Sequence, residues 1–195
     1  MKTLFLFFLL GTTFPVLAQE SSSTEGSVYD LESKWRNQEG KEIALEDLKG
    51  KVRIIAMGYT SCQYACPRII ADLKRIEQEL EGRELDPDYV SFSFISIDPK
   101  TDTPERMKKL EKDYKFDPRR WLLLTGDDDG VLELAVVLGM KYRKTTALDF
   151  AHSNIITVIS PDGRILHQNS AIGAGISKTV RAIRDAAASM RDKQE

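Results

Sequence analysis

Cysteine is scarce in this chain: two residues in 195, Cys62 and Cys66. Two cysteines cannot build the disulfide framework of a small secreted scaffold, so the fold has to rest on a hydrophobic core. Histidine is as scarce, with only His152 and His167, which excludes a histidine-rich metal site. Neither sign of charge dominates. Lys and Arg number 28 against 30 Asp and Glu, a formal net charge of −2, so nucleic acid is not a favoured partner. No internal repeat is visible. Long apolar runs are missing after residue 18, so nothing later in the chain is able to span a bilayer.

The opening residues read as an export signal. Lys2 is a short basic region, residues 4–10 are large and apolar, and Val16-Leu17-Ala18 ends on a small residue. The rival is an uncleaved anchor. Residues 3–18 contain Gly11, Thr12, Thr13 and Pro15 and fall short of the roughly 20 residues a spanning helix needs. No cysteine lies near the cleavage point, so a lipoprotein is not expected. The expected organisation is a signal peptide at 1–18, a flexible linker at 19–27 ("QESSSTEGS") and one compact domain at 28–195. The expected location is periplasmic or otherwise extracytoplasmic, soluble after cleavage, with a membrane-anchored form as the alternative. In such a compartment a close cysteine pair is oxidised unless something keeps it reduced.

Hydrophobic periodicity orders the rest. Residues 34–51 read as a hairpin around Glu39-Gly40 followed by a short turn. "VRIIAMGY" (52–59) is a buried strand. After it, Ile69, Ile70, Leu73, Ile76 and Leu80 share one helical face, with Pro67 in the first turn. "YVSFSFISID" (89–98) alternates apolar residues with serines and predicts a strand. Thr103 and Pro104 open a helix whose apolar face is Met107, Leu110 and Tyr114. A strand at 120–126, an acidic-started helix at 127–140, a hairpin at 154–168 turned by Pro161-Asp162-Gly163, and a C-terminal amphipathic helix complete the order. This implies an α/β fold with a central mixed sheet flanked by helices and an N-terminal hairpin. The strand–CxxxC–helix unit makes it thioredoxin-like, with the cysteines beyond the carboxyl end of a strand and at a helix N-terminus.

That position stabilises thiolates. Thiolate serves disulfide exchange and metal binding alike, so the local physics leaves both open. One helical turn would bring Cys62 and Cys66 to the same side. Two thiolates are too few for structural zinc, whereas copper(I) is soft and accepts two thiolates plus an imidazole. His167 reads as a surface or edge-strand histidine. His152 lies in "DFAHSNII", in the loop before a strand. Thioredoxins usually carry a cis-proline there; this chain has no proline between Pro118 and Pro161. From the residues alone, His152 is either a ligand or a plain loop histidine.

Four further features read as structural. "GDDDG" (126–130) suits helix capping better than calcium. Asp98 and Asp102 mark a strand exit and a helix start, with docking near the cysteines as the other reading. Tyr64 is a displayed aromatic, or a partner contact. Trp35 and Trp121 are core residues.

The blocks "GYTSCQYACPRIIADL", "SFISIDPKTDTPERMKKL", "RRWLLLTGD" and "FAHSNIITVISPDGRI", in this order, resemble the Sco/SenC/PrrC family over nearly the whole domain. The resemblance implies a thioredoxin-like fold and copper held by Cys62, Cys66 and His152. It implies a role in assembling the copper site of cytochrome c oxidase, with that enzyme's copper-bearing subunit and a thiol reductase or another copper chaperone as partners. The chain departs from the family at Gln63-Tyr64, where Pro-Asp is common, and at Ala151, where an acidic residue usually precedes the histidine; Asp149 is two residues further back. The expected protein is a monomeric metallochaperone rather than an enzyme. It holds copper(I), and copper(II) with one further oxygen ligand, and cysteine redox state gates binding. The alternatives are a thiol:disulfide oxidoreductase, a thiol peroxidase, and a redox or copper sensor.

Overall fold

The computed structural model describes residues 26–80, 86–146, 149–171, 173 and 175–192. The expected signal peptide and most of the expected linker lie outside the described residues. No helix among the described residues is long and apolar enough to cross a membrane.

The first hairpin pairs β1 (Lys34–Asn37) with β2 (Glu42–Ala44) across a turn in which Gly40 takes φ 77°, a conformation glycine adopts without Cβ strain. β3 (Val52–Gly58) then enters the middle of the molecule, with all seven residues buried. α1 (Ala65–Glu79) follows and buries Ile69, Ile70, Leu73 and Ile76, the face its spacing predicts. β4 (Val90–Ser96) is buried throughout as well. Its serines do not face water: Ser93 Oγ accepts from Arg53 at 3.1 Å, and Ser96 Oγ donates to Asp102 at 2.7 Å. Alternation here marks a second buried face in place of a solvated one; Ser93 is paired there, while the buried Ser91 Oγ has no hydrogen-bond partner among the described residues.

α2 (Pro104–Tyr114) is capped by Thr103, whose hydroxyl accepts from Arg106 N–H. β5 (Trp121–Thr125) leads to α3 (Asp128–Val137), capped by Asp127 accepting from Gly130 N–H at 2.8 Å. The acidic run therefore caps a helix, as expected. β8 (Ile156–Ile159) and β9 (Ile165–Asn169) form the last hairpin, and α4 (Ser177–Arg191) closes the chain.

Among the described residues seven strands make one sheet in the order β2-β1-β5-β4-β3-β8-β9. β3–β4 and β4–β5 are parallel; β3–β8, β8–β9, β1–β5 and β1–β2 are antiparallel. The sheet is mixed, as the sequence implies. Trp121 is 1% exposed and stacks on Phe92 and Phe116 at 4.8 and 3.9 Å, in the core as expected. Trp35 is buried too.

Two short strands were not foreseen. β6 (Tyr142–Lys144) and β7 (Phe150–His152) pair with each other as a separate two-stranded sheet. His152 therefore ends a strand, opposite Tyr142 in the register, and does not lie in a plain loop.

Candidate metal centre

The cysteine side of the site begins where β3 stops. Gly58, the last residue of β3, has no room for a side chain: a Cβ there would lie 2.7 Å from Cys66 Sγ and 2.8 Å from Phe94 Cζ. The chain turns through Tyr59 and Thr60, and Cys62 N–H donates to Tyr59 O at 3.3 Å. α1 has no side-chain oxygen cap at Tyr64. The Cys62 sulfur takes that part, accepting from Cys66 N–H at 3.2 Å. Cys66 Sγ accepts from Tyr59 N–H at 3.4 Å. The two sulfurs thus meet because Cys62 caps the helix that carries Cys66, not because both ride on one helical turn.

The loop is braced from below. Asp102 is 0% exposed. Its carboxylate accepts from Thr60 N–H at 2.9 Å, from the Thr60 hydroxyl and from Ser96 Oγ. Expected as a helix-start residue, Asp102 also fixes the chain two residues before Cys62. Tyr64, expected as a displayed aromatic, is 83% exposed. A groove of about 390 Å³ opens beside the cysteines, lined by Ser61, Gln63, Tyr64, Thr101, Arg106 and Asp149.

The histidine arrives from β7. Donor atoms of Cys62, Cys66 and His152 all lie within 4.8 Å of one another. His152 Nδ1 lies 3.2 Å from Ser153 O. A carbonyl only accepts, so Nδ1 carries the proton and Nε2 keeps its lone pair. Nε2 is buried and has no hydrogen-bond partner. A buried ring nitrogen without a partner costs free energy unless something supplies one. A metal ion between it and the sulfurs would do so, and the donors fit a soft one. His167 sits on β9, half-buried against the Thr179 hydroxyl at 3.1 Å; the structure does not bring it to this group.

Electrostatics separates the two thiols. Burial opposes ionisation of Cys62, but backbone N–H groups of Cys66, Tyr64 and Ala65 and the Cys66 thiol outweigh it and hold the pKa below the usual thiol value. Burial pushes the Cys66 thiol up, against a bond from Tyr59 N–H, and the neighbouring Cys62 adds to the rise. The helix N-terminus was expected to favour both thiolates; it favours the half-exposed Cys62 and is overruled by burial at Cys66. Burial also lowers the His152 pKa, the Ser153 carbonyl pulling partly the other way, which keeps the ring neutral and able to ligate.

Sequence reasoning missed Tyr59, whose hydroxyl bonds Asp149 and Phe150. Its only signal was its place at the end of a buried strand, just before the cysteines.

A thioredoxin-like sheet with a cysteine pair at the β3–α1 junction and an imidazole drawn up to it defines a thiol-based domain with a soft three-donor set. The chain belongs to the SCO1/SenC family, whose model matches residues 21–187. It is 30% identical to the SCO1 protein homolog of Bacillus subtilis (strain 168) over 142 residues, 71% of this chain and 72% of that one. Bradyrhizobium japonicum ScoI, solved with copper bound, is 26% identical with a TM-score of 0.63, covering 82% of this chain and 96% of that chain. BsSco is described as a member of the Sco family of cytochrome c oxidase assembly proteins in which a disulfide switch was identified. It is 25% identical with a TM-score of 0.69, over 80% of this chain and 91% of that chain.

Proposed function

We propose that this protein is an exported copper metallochaperone serving assembly of the copper site of cytochrome c oxidase. The observation that carries the reading is the unpartnered, buried Nε2 of His152 beside two sulfurs. Cys62 and Cys66 supply thiolates and His152 supplies Nε2. Copper(I) fits these three donors, and copper(II) uses them with one further oxygen ligand. Family membership, copper in ScoI and the assembly role of the Sco family support it.

Copper is the cargo, and its release is tied to thiol chemistry. Cys62 ionises first; Cys66 gives up its proton when a cation compensates for burial. Oxidation to a Cys62–Cys66 disulfide passes two electrons to an acceptor and removes both thiolates, which closes the site. A dithiol reductant returns the two electrons and is itself oxidised to a disulfide. The partners are then the copper-bearing oxidase subunit and a thiol reductase or second copper chaperone. We assign residues 1–18 to a cleaved signal, 19–27 to a linker and 28–195 to a monomeric domain outside the cytosol.

One observation favours a second reading. A reactive, half-exposed Cys62 backed by a buried Cys66 also suits a thiol:disulfide oxidoreductase. Copper(I) titration separates the two. Reduced protein should bind one copper(I) per chain and the disulfide form almost none. His152→Ala should lose more than the roughly 10–100-fold in affinity typical of a change behind the ligands, while keeping a reversible disulfide. Equal copper binding by the reduced wild type and His152→Ala would favour the oxidoreductase.

A further inference from the structure

One side chain from the cysteine side of the site touches three residues of the histidine side. The Tyr59 hydroxyl donates to Asp149 Oδ1 at 2.9 Å and accepts from Phe150 N–H at 3.3 Å. Its ring lies 5.2 Å from that of Phe150 and meets the His152 ring edge-on at 5.8 Å. Its backbone N–H donates to Cys66 Sγ. Tyr59 is therefore bonded to Cys66 by its main chain and to the histidine strand by its hydroxyl, which also interacts with Cys62. It is buried, so water does not readily replace these bonds. The hairpin it touches stands apart from the main sheet: Tyr142 and Phe150 pack at the edge of the core, and among the described residues β6 and β7 pair with each other alone. Asp149 in turn organises the connection between them, its carbonyl accepting from Thr145 N–H at 2.8 Å.

We propose that Tyr59 is the positioning residue that docks the β6–β7 hairpin on the cysteine loop and so sets His152 Nε2 within reach of both sulfurs. The inference rests on the copper reading above. The docking needs one atom that donates to a carboxylate and accepts from an amide, which a phenol supplies and a phenyl ring does not. Without it the Asp149 carboxylate and Phe150 N–H turn to water, the hairpin opens more often, and the imidazole spends time away from the sulfurs. Tyr59→Phe also removes the hydroxyl's interaction with Cys62, but the sulfurs keep their main-chain anchors, Cys66 N–H to Cys62 Sγ and Tyr59 N–H to Cys66 Sγ.

The test is Tyr59→Phe in the otherwise intact protein. In the reduced, metal-free state, hydrogen exchange at Phe150 N–H should quicken about tenfold, the scale of one lost hydrogen bond. Exchange along β3 should not change. Copper(I) should still load at one per chain, while the copper(II) spectrum loses nitrogen hyperfine coupling from His152. Asp149→Ala should act in the same direction. The double variant should be no worse than Tyr59→Phe alone, since the bond that Asp149→Ala removes is already lost with the hydroxyl. Unchanged Phe150 exchange with unchanged nitrogen coupling would overturn the proposal, and so would additive effects of the two substitutions. If wild-type protein binds no copper, the metal reading fails, and the exchange data still decide whether Tyr59 docks the hairpin.

Discussion

The two halves of the site rest on unequal foundations. Cys62 and Cys66 follow β3, which is buried over its whole length and flanked by β4 on one side and β8 on the other. His152 ends a three-residue strand whose single partner is another three-residue strand. Lys144 and Ala151 in that pair are exposed. The sulfurs stand on a deeply packed strand; the histidine strand is held by its hairpin partner, by Tyr59 and by the half-buried Tyr142 and Phe150 at the edge of the core. On the metallochaperone reading proposed above, this inequality would let the ion be bound and released by moving one half of the site. The half that costs least to move is the histidine half.

Thiol chemistry gives the sharpest way to break the comparison. The same inequality runs inside the cysteine half, between half-exposed Cys62, whose thiol pKa is lowered, and buried Cys66, whose pKa is raised. Iodoacetamide should modify Cys62 on the order of 100-fold faster than Cys66 in the reduced protein near neutral pH, since the buried thiol reacts only after opening. Mass spectrometry of the two peptides reads it. Equal labelling would mean that the loop carrying both cysteines is mobile and that the inequality between halves is false.

Packing gives the next largest effect. Gly58→Ala drives a methyl to within 2.7 Å of Cys66 Sγ and should cost about 1–3 kcal/mol in urea unfolding, the range for overpacking a core. Ala151→Ser, on the exposed face of β7 beside His152, should change stability by no more than about 0.5 kcal/mol. Similar costs at both positions would erase the distinction between a packed half and a loosely held one.

The same difference explains what was legible in the sequence. α1, α2 and α4 announce themselves because each buries a periodic face, and β3 because a strand buried on both faces reads as a continuous apolar run. Thr103 and Asp127 were readable as caps because capping needs particular side chains at particular places. Cys62 and Cys66 stood out as the chain's two cysteines; His152 was left open by the residues and became a ligand candidate through its place before a strand and the family resemblance. β6 and β7 left no such trace: "YRK" and "FAH" are too short for a period of two to show. Asp102 looked like a helix-start residue because its other partners, Thr60 and Ser96, come from different parts of the chain. Tyr59 was hidden for a similar reason, since its partners Asp149 and Phe150 lie some ninety residues away.

Acid should probe the weaker half alone, with the smallest effect. Burial holds the His152 pKa below its ordinary value in the folded protein, against about 6.5 in the unfolded chain. Below about pH 6.5 the unfolded chain therefore takes up a proton that the folded imidazole resists. The unfolded state binds more protons there, so stability rises with pH. It is complete above about pH 6.5, declines as the pH falls through that value, and levels off once the pH is below the folded pKa. Carboxylates titrate lower still, so the reduced, metal-free protein is unfolded in urea between pH 7.5 and 5.5, and comparison with His152→Gln separates the His152 contribution from that of the other titratable groups. The wild type should lose stability across that window, and His152→Gln, which carries no titrating ring, should lose less. Copper on Nε2 should flatten the wild-type slope as well, because the proton must then displace the ion. Hydrogen exchange locates the effect: opening of the β6–β7 hairpin should become easier with acid beyond any change seen along β3. Identical slopes for the wild type and His152→Gln would mean that the imidazole is as free to protonate in the fold as out of it. Its Nε2 would then be solvated rather than held between the sulfurs, and the histidine half would have no claim on the metal.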